Sequence, residues 1–147
     1  MNMKPSMINI QIESQQMVLE SKRTSVNALD KLIADLREIY SISDEFNHDI
    51  WVVLNEAVSN AIKHGNKLDP DKKVSLTSEI REDRYLCFVI KDQGRGFNPE
   101  MIPDPTHPSR IHNPNGRGIF LMKALSKSVH YFDGGRSVEI VFDLFAH

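Results

Sequence analysis

Cysteine is all but missing from this chain. Cys87 is the only one in 147 residues, so no intramolecular disulfide can form and a reducing compartment is its natural home. It stands inside the apolar run Tyr85-Leu86-Cys87-Phe88-Val89-Ile90, which predicts a packed core thiol rather than a nucleophile. An excess of either charge is also lacking. Eighteen Lys and Arg against 20 Asp and Glu give a formal net charge of −2, with no basic cluster, which argues against a nucleic-acid binder that works by neutralising phosphates. No apolar stretch approaches the roughly 18 residues of a membrane span, and the first residues lack a basic-then-apolar export pattern. A cytoplasmic protein with neither a membrane nor a nucleic-acid partner is expected.

What is present suits one domain over 1–147. That length buries a core without staples, and 40% hydrophobic with 26% charged residues is ordinary for a globular chain. Residues 7–13 alternate, with Ile8, Ile10 and Ile12 opposite Asn9, Gln11 and Glu13, the pattern of a half-buried strand. Met17-Val18-Leu19 either extends the sheet or leads into a helix. Over about 22–40, Val26, Leu29, Leu32, Ile33, Leu36 and Ile39 recur at three- and four-residue spacing, predicting an amphipathic helix. Ser43 or Asp44 can cap the next helix, which carries apolar residues from Phe46 to Ile62 and ends at Gly65, a natural left-handed terminator.

Strands are predicted over 73–80 and 84–91, joined by the polar turn Arg81-Glu82-Asp83. A third helix should run from about 118 to 126, followed by a hairpin of 129–132 and 137–145 around Asp133-Gly134-Gly135. Five of the seven prolines, Pro99, Pro103, Pro105, Pro108 and Pro114, crowd into 98–115. That density excludes a helix interior or a central strand, and a long segment of this kind inside a domain reads as a lid.

Three motifs carry chemistry. In Asn55-Glu56-Ala57-Val58-Ser59-Asn60-Ala61-Ile62-Lys63-His64-Gly65, Glu56 and Asn60 stand one helical turn apart on one face. An amide oxygen is a ligand magnesium accepts beside phosphate oxygens and water, and the carboxylate could take a proton from an attacking hydroxyl. Taken alone, the pair reads first as a solvated polar face. In Asp92-Gln93-Gly94-Arg95-Gly96-Phe97, directly after a strand, Gly94 and Gly96 let the backbone approach a flat ligand. Asp92 can accept a hydrogen bond from an exocyclic amine such as that of adenine. A simple strand-to-loop turn explains the same residues equally well. In Asn115-Gly116-Arg117-Gly118-Ile119, a helix begins where the prolines end. Its free N–H groups can receive phosphate and Arg117 can add a charged contact; an ordinary helix start is the alternative. Their order along the chain supplies every contact that Mg-ATP needs.

In that order the three motifs resemble the N box and the two glycine boxes of the ATPase superfamily that unites gyrase, heat-shock chaperones, histidine kinases and mismatch-repair proteins. The resemblance runs from the second helix to the final hairpin, and the N-terminal strand and helix also fit. It implies a Bergerat-type two-layer α/β sandwich, with helices on one face of a mixed sheet and ATP held between helices and lid. Within the superfamily, Glu56-Ala57-Val58-Ser59-Asn60-Ala61 with His64-Gly65, and Gly116-Arg117-Gly118-Ile119-Phe120-Leu121-Met122, are most similar to bacterial anti-sigma-factor serine kinases. Many relatives carry a third glycine near the end of the second glycine box, where this chain has Phe120. The resemblance implies that Asn60 binds magnesium, that Glu56 is the base and that Asp92 reads adenine. It also implies ATP contacts at Gly94, Gly96, Gly116, Arg117 and Gly118, a serine on an antagonist protein as substrate, sequestration of a sigma factor, and a homodimer. A detached histidine-kinase catalytic domain and a non-catalytic ATP-gated binding module are the competing readings. His48-Asp49 resembles a phosphoacceptor only faintly, since it lies on the N-box helix itself, where it cannot reach its own ATP.

Overall fold

The computed structural model describes residues 14–96 and 114–146, the side chains of 114–117 excepted. The alternating segment 7–13 and the lid residues 98–113 lie outside the described residues. Met17-Val18-Leu19 belongs to a strand, β1 (Ser14–Glu20). The helix expected over 22–40 is divided. Arg23–Ala28 winds as a 3-10 turn, rich in weak helix formers such as Thr24, Ser25 and Asn27, and α1 follows at Leu29–Tyr40. Leu29, Leu32, Ile33 and Leu36 form its buried face. Ser41 turns left-handed, and the Ile42 N–H closes on the Arg37 carbonyl at 3.1 Å.

Ser43 caps α2 (Asp44–Asn60), its hydroxyl accepting from the Phe46 N–H at 3.2 Å, with Asp44 and Glu45 in the first turn. The helix widens into a π turn at Ala61–Gly65, closed by the Asn66 N–H on the Ala61 carbonyl at 2.8 Å. Gly65 is not the left-handed terminator. That conformation falls on Lys67 and Leu68, with φ of 54° and 60°, and the Leu68 N–H bonds the Ile62 carbonyl at 2.9 Å.

The remaining elements are β2 (Lys73–Arg81), β3 (Tyr85–Lys91), α3 (Pro114–Leu125), β4 (Ser128–Phe132) and β5 (Ser137–Asp143). The strand order is β1-β2-β3-β5-β4, and all four pairings are antiparallel. The α/β sandwich is as expected, but the described sheet is antiparallel rather than mixed. β3 and β4 do point the same way across α3; β5 inserts between them and takes both pairings. No helix among the described residues is long and apolar enough to cross a membrane.

One face of the sheet meets the helices. Val74 and Leu76, Leu86, Phe88 and Ile90, and Val138, Ile140 and Phe142 join the apolar faces of α1, α2 and α3 in a single cluster. Phe142 lies edge-on to both Phe46 and Phe88, each with ring centroids 6.0 Å away. Cys87 is buried, at 1% exposure, but not in this cluster. Strand alternation turns it to the opposite face, beneath ion pairs from Arg81 to Glu79 at 2.5 Å and to Glu139 at 3.0 Å. Burial pushes its thiol pKa up, so the expectation of a packed, inert thiol holds, with the thiol on the sheet face away from the helices.

The strongest polar constraint is Asn66, 1% exposed. Its Nδ2 donates to the Ser21 hydroxyl at 2.9 Å and the Lys73 carbonyl at 3.0 Å, and its Oδ1 accepts from the Gln93 N–H at 2.7 Å. The Gln93 side chain returns a bond from the Lys73 N–H at 2.6 Å. Asn66→Ala leaves three partners unsatisfied in a water-poor site, and a lost buried bond costs about 1–3 kcal/mol. We expect about 2–4 kcal/mol of destabilisation in urea unfolding; a loss near zero would show that water replaces the amide.

Candidate functional site

The C-terminal half of α2, with its π turn, faces the end of β3 and the start of β5 across a cavity of about 380 Å³, within the range of small-molecule sites. Ile90 and Val138 are cross-strand partners and form its floor. Ala57 and Ala61 supply a flat wall, and Ile119 closes the slot from α3. Apolar side chains of this kind suit a planar ring.

Asp92 supplies the slot's polar edge. Its N–H donates to the Arg136 carbonyl at 2.9 Å and its Oδ1 accepts from the Gly94 N–H at 2.8 Å. Burial raises its pKa above the ordinary carboxylate value, against the Gly94 N–H and the Arg136 charge, which lower it. Asp92 can hold its place only because Gly65 has no side chain: a Cβ there would overlap its carboxylate. Gly94 in turn packs onto the Gly65 carbonyl. Gly96, left-handed at φ 82°, meets the Gly134 carbonyl in the β4–β5 turn, and Arg136 bonds the Arg95 carbonyl at 3.3 Å and Asp133 at 3.1 Å. The first glycine segment is thereby fastened to the helix on one side and the hairpin on the other.

Glu56 and Asn60, both half-buried, share one face of α2, and Asn60 lines the cavity. Gly118 of α3 lies against both: a Cβ there would sit 2.5 Å from Glu56 Oε2 and 3.6 Å from Asn60 Nδ2. α3 begins at Pro114, four residues before the expected start, because proline suits a first helical position whose N–H has no partner. The unpaired N–H groups of its first turn therefore belong to Asn115, Gly116 and Arg117, while Gly118 lies inside the helix.

His64 of the first motif also lines the cavity, and so do three residues not singled out from the sequence, Lys67, Tyr131 and Arg136. Burial, then Lys63 and Lys67, lower the His64 pKa, so its ring is neutral at neutral pH. Burial and the Glu56 charge raise the Tyr131 phenol, which stays protonated. His64 continues the Glu56–Asn60 series at the next turn, a signal present in the spacing. Tyr131 and Arg136 arrive through the hairpin, and no local pattern marks them.

The family of histidine kinase-like ATPase domains matches residues 19–142. The chain belongs to this family. It is 42% identical over 77 residues to an anti-sigma F factor of Shouchella clausii, which covers 51% of this chain and 52% of the relative. The serine-protein kinase RsbW of Oceanobacillus iheyensis is 26% identical over 120 residues, covering 78% and 75%. That of Bacillus licheniformis is 33% identical over 100 residues, covering 63% and 62%. The chain thus spans from about half to three-quarters of the length of these relatives. Among solved structures, the blue-light activated histidine kinase of Erythrobacter litoralis EL346 matches with a TM-score of 0.56 at 19% identity, covering 79% of this chain and 40% of that one. Its histidine kinase domain gives 0.53 at 17%, covering 82% and 61%. At such identities the likeness is one of fold.

The two glycine contacts of this ATPase domain separate in a stability test. Gly94→Ala drives a Cβ into the Gly65 carbonyl, a backbone atom that cannot swing aside, whereas Gly65→Ala meets the Asp92 side chain. Overpacking costs about 1–3 kcal/mol, and Gly94→Ala should lose more than Gly65→Ala in urea unfolding. The reverse ranking would refute the backbone clamp.

Proposed function

We propose that this chain binds ATP with magnesium in the cavity and phosphorylates a serine or threonine of an antagonist protein, while sequestering a sigma factor. The observation that carries the reading is the spread of functional groups along α2. Asp92 abuts Gly65, Glu56 precedes Gly65 by nine residues, and nine helical residues rise roughly 13 Å. That is the scale of an extended nucleoside triphosphate, with a base-reading carboxylate at one end and a proton acceptor at the other. The partners are proposed from the printed names of the relatives, an anti-sigma factor and serine-protein kinases.

The residues fit the nucleotide by their chemistry. Asp92 accepts from the adenine amine while Ile90, Val138 and Ile119 cover the ring. Gly94 and Gly96 shape the loop that holds Asp92. The Asn60 amide oxygen is a neutral ligand for magnesium, whose remaining positions suit phosphate oxygens and water. The first-turn N–H groups of α3, at Gly116 and Arg117 among others, are donors for phosphate, with Arg117 as a cation, while Gly118 follows them inside the helix. Bound Mg-ATP supplies the phosphoryl group and, as ADP, the leaving group. Glu56 accepts the proton of the attacking hydroxyl. The cavity sits in one chain, and a homodimer enters the proposal only through the resemblance. The segment 98–113 is proposed as the lid, cut back from the expected 98–115 because α3 begins at Pro114.

Glu56→Gln keeps the size but cannot take the proton. Phosphorylation should fall by about 10²- to 10⁴-fold with ATP binding near normal. A normal transfer rate in that variant would remove Glu56 as the base, and a wild type that binds ATP and partner without modifying it would be an ATP-gated binding module. Asp92→Asn should weaken ATP by about 1.5–3 kcal/mol in calorimetry. Because its pKa is raised, protonation removes the charge that strengthens the acceptor at a higher pH than for an ordinary carboxylate. Wild-type affinity should therefore decline on acidification, starting at a higher pH than an ordinary carboxylate would set, and Asp92→Asn should lack that decline.

A further inference from the structure

Gly118 occupies the fifth position of α3, an interior helical site where glycine is less favourable than alanine. Its φ is not left-handed, so conformational freedom does not require glycine there. Nor does backbone packing, in contrast to Gly94. The three atoms nearest a Cβ at Gly118 are Glu56 Oε2 at 2.5 Å, Glu56 Cδ at 3.2 Å and Asn60 Nδ2 at 3.6 Å. All belong to side chains of the facing helix, and the two closest are the far end of a flexible one. The missing Cβ therefore leaves room for a carboxylate, and the fold could accept alanine by letting that carboxylate turn away.

We propose that Gly118 is a positioning residue for Glu56: the bare backbone of α3 is the surface on which the carboxylate rests, and it holds the proton acceptor beside Asn60. Tyr131, on the strand that follows α3, feels the Glu56 charge and lines the cavity, as Asn60 does. This inference rests on the reading of Glu56 as the base, and it gives Gly118 a task separate from phosphate binding.

The test is Gly118→Ala. Alanine favours the helix, so Tm should stay level or rise. The carboxylate should shift by about an ångström, a misplacement that can cost on the order of 10²-fold. A loss of that order is expected in kcat for phosphoryl transfer, with KM for ATP unchanged. Glu56→Asp shortens the side chain by one methylene and makes room for the new Cβ. The loss in the double variant Glu56→Asp, Gly118→Ala should therefore be smaller than the product of the two single losses. An independent reading comes from ¹³C NMR of the Glu56 side-chain carboxyl in nucleotide-free protein, whose chemical shift should move in Gly118→Ala. If that resonance stays in place, the proposal is wrong. It is also overturned if Tm and ATP affinity fall together with kcat, since Gly118 is then a packing or nucleotide contact. Should the wild type transfer no phosphate while the Glu56 carboxyl still moves, the kinase reading fails and the positioning role stands.

Discussion

The carboxamide of Asn66 has almost no access to water, and its bonds reach three separate parts of the chain. One proton meets Ser21 at the exit of β1, another meets the Lys73 carbonyl at the entry of β2, and the oxygen receives the N–H of Gln93 after β3. Ser21 passes its own hydroxyl proton to the Lys72 carbonyl, extending the network by one more bond. An amide is well suited to this task because it offers donors and an acceptor in one rigid plane. In a buried setting each bond is strong, and each omission is costly. Asn66 is also the residue on which the π turn of α2 closes, so the same side chain fixes where the N-box helix ends relative to the sheet.

The site inherits its geometry from that constraint. With Gln93 anchored, Asp92 and Gly94 on either side of it are held against Gly65, and the contact leaves no space for a methyl group on either glycine. A half-buried carboxylate is held in a desolvated position, at the cost visible in its raised pKa. Such a group is useful where a ligand's N–H restores what water supplied. Nine residues before Gly65, at Glu56, the same device recurs with a different effect, since Gly118 admits a side chain rather than a backbone. One contact makes the fold rigid and the other leaves the Glu56 carboxylate room.

Membership of the histidine kinase-like ATPase family rests on a match across residues 19–142. The shared fold with a histidine kinase survives at 19% identity. The features that set the cavity here are backbone approaches and one buried amide, and they demand few particular side chains. A sheet and helices of ordinary apolar composition can satisfy the rest, which makes a widely diverged sequence compatible with one architecture.

Much of this was legible in the chain itself, because it is written in local periodicity. The stripe from Leu29 to Leu36, the cap at Ser43, the polar turn after Arg81 and the Asp133-Gly134-Gly135 hairpin each depend on residues within a few positions of one another. Likewise the spacing of Glu56 and Asn60 places both on one face wherever the helix lies. Other features depend on partners far away in sequence. Gly65 looked like a helix terminator, yet its need for glycine comes from Asp92, and left-handed geometry passed to Lys67 and Leu68. Cys87 is buried, as its apolar neighbours predict, but strand alternation and the arrival of Arg81 and Glu139 decide that it is buried under the face away from the helices. The position of β5 between β3 and β4, the delivery of Tyr131 and Arg136 to the cavity and the three-way grip of Asn66 have no local signature. Periodicity tells a residue which way to face; only the assembled sheet and helices decide what it meets there.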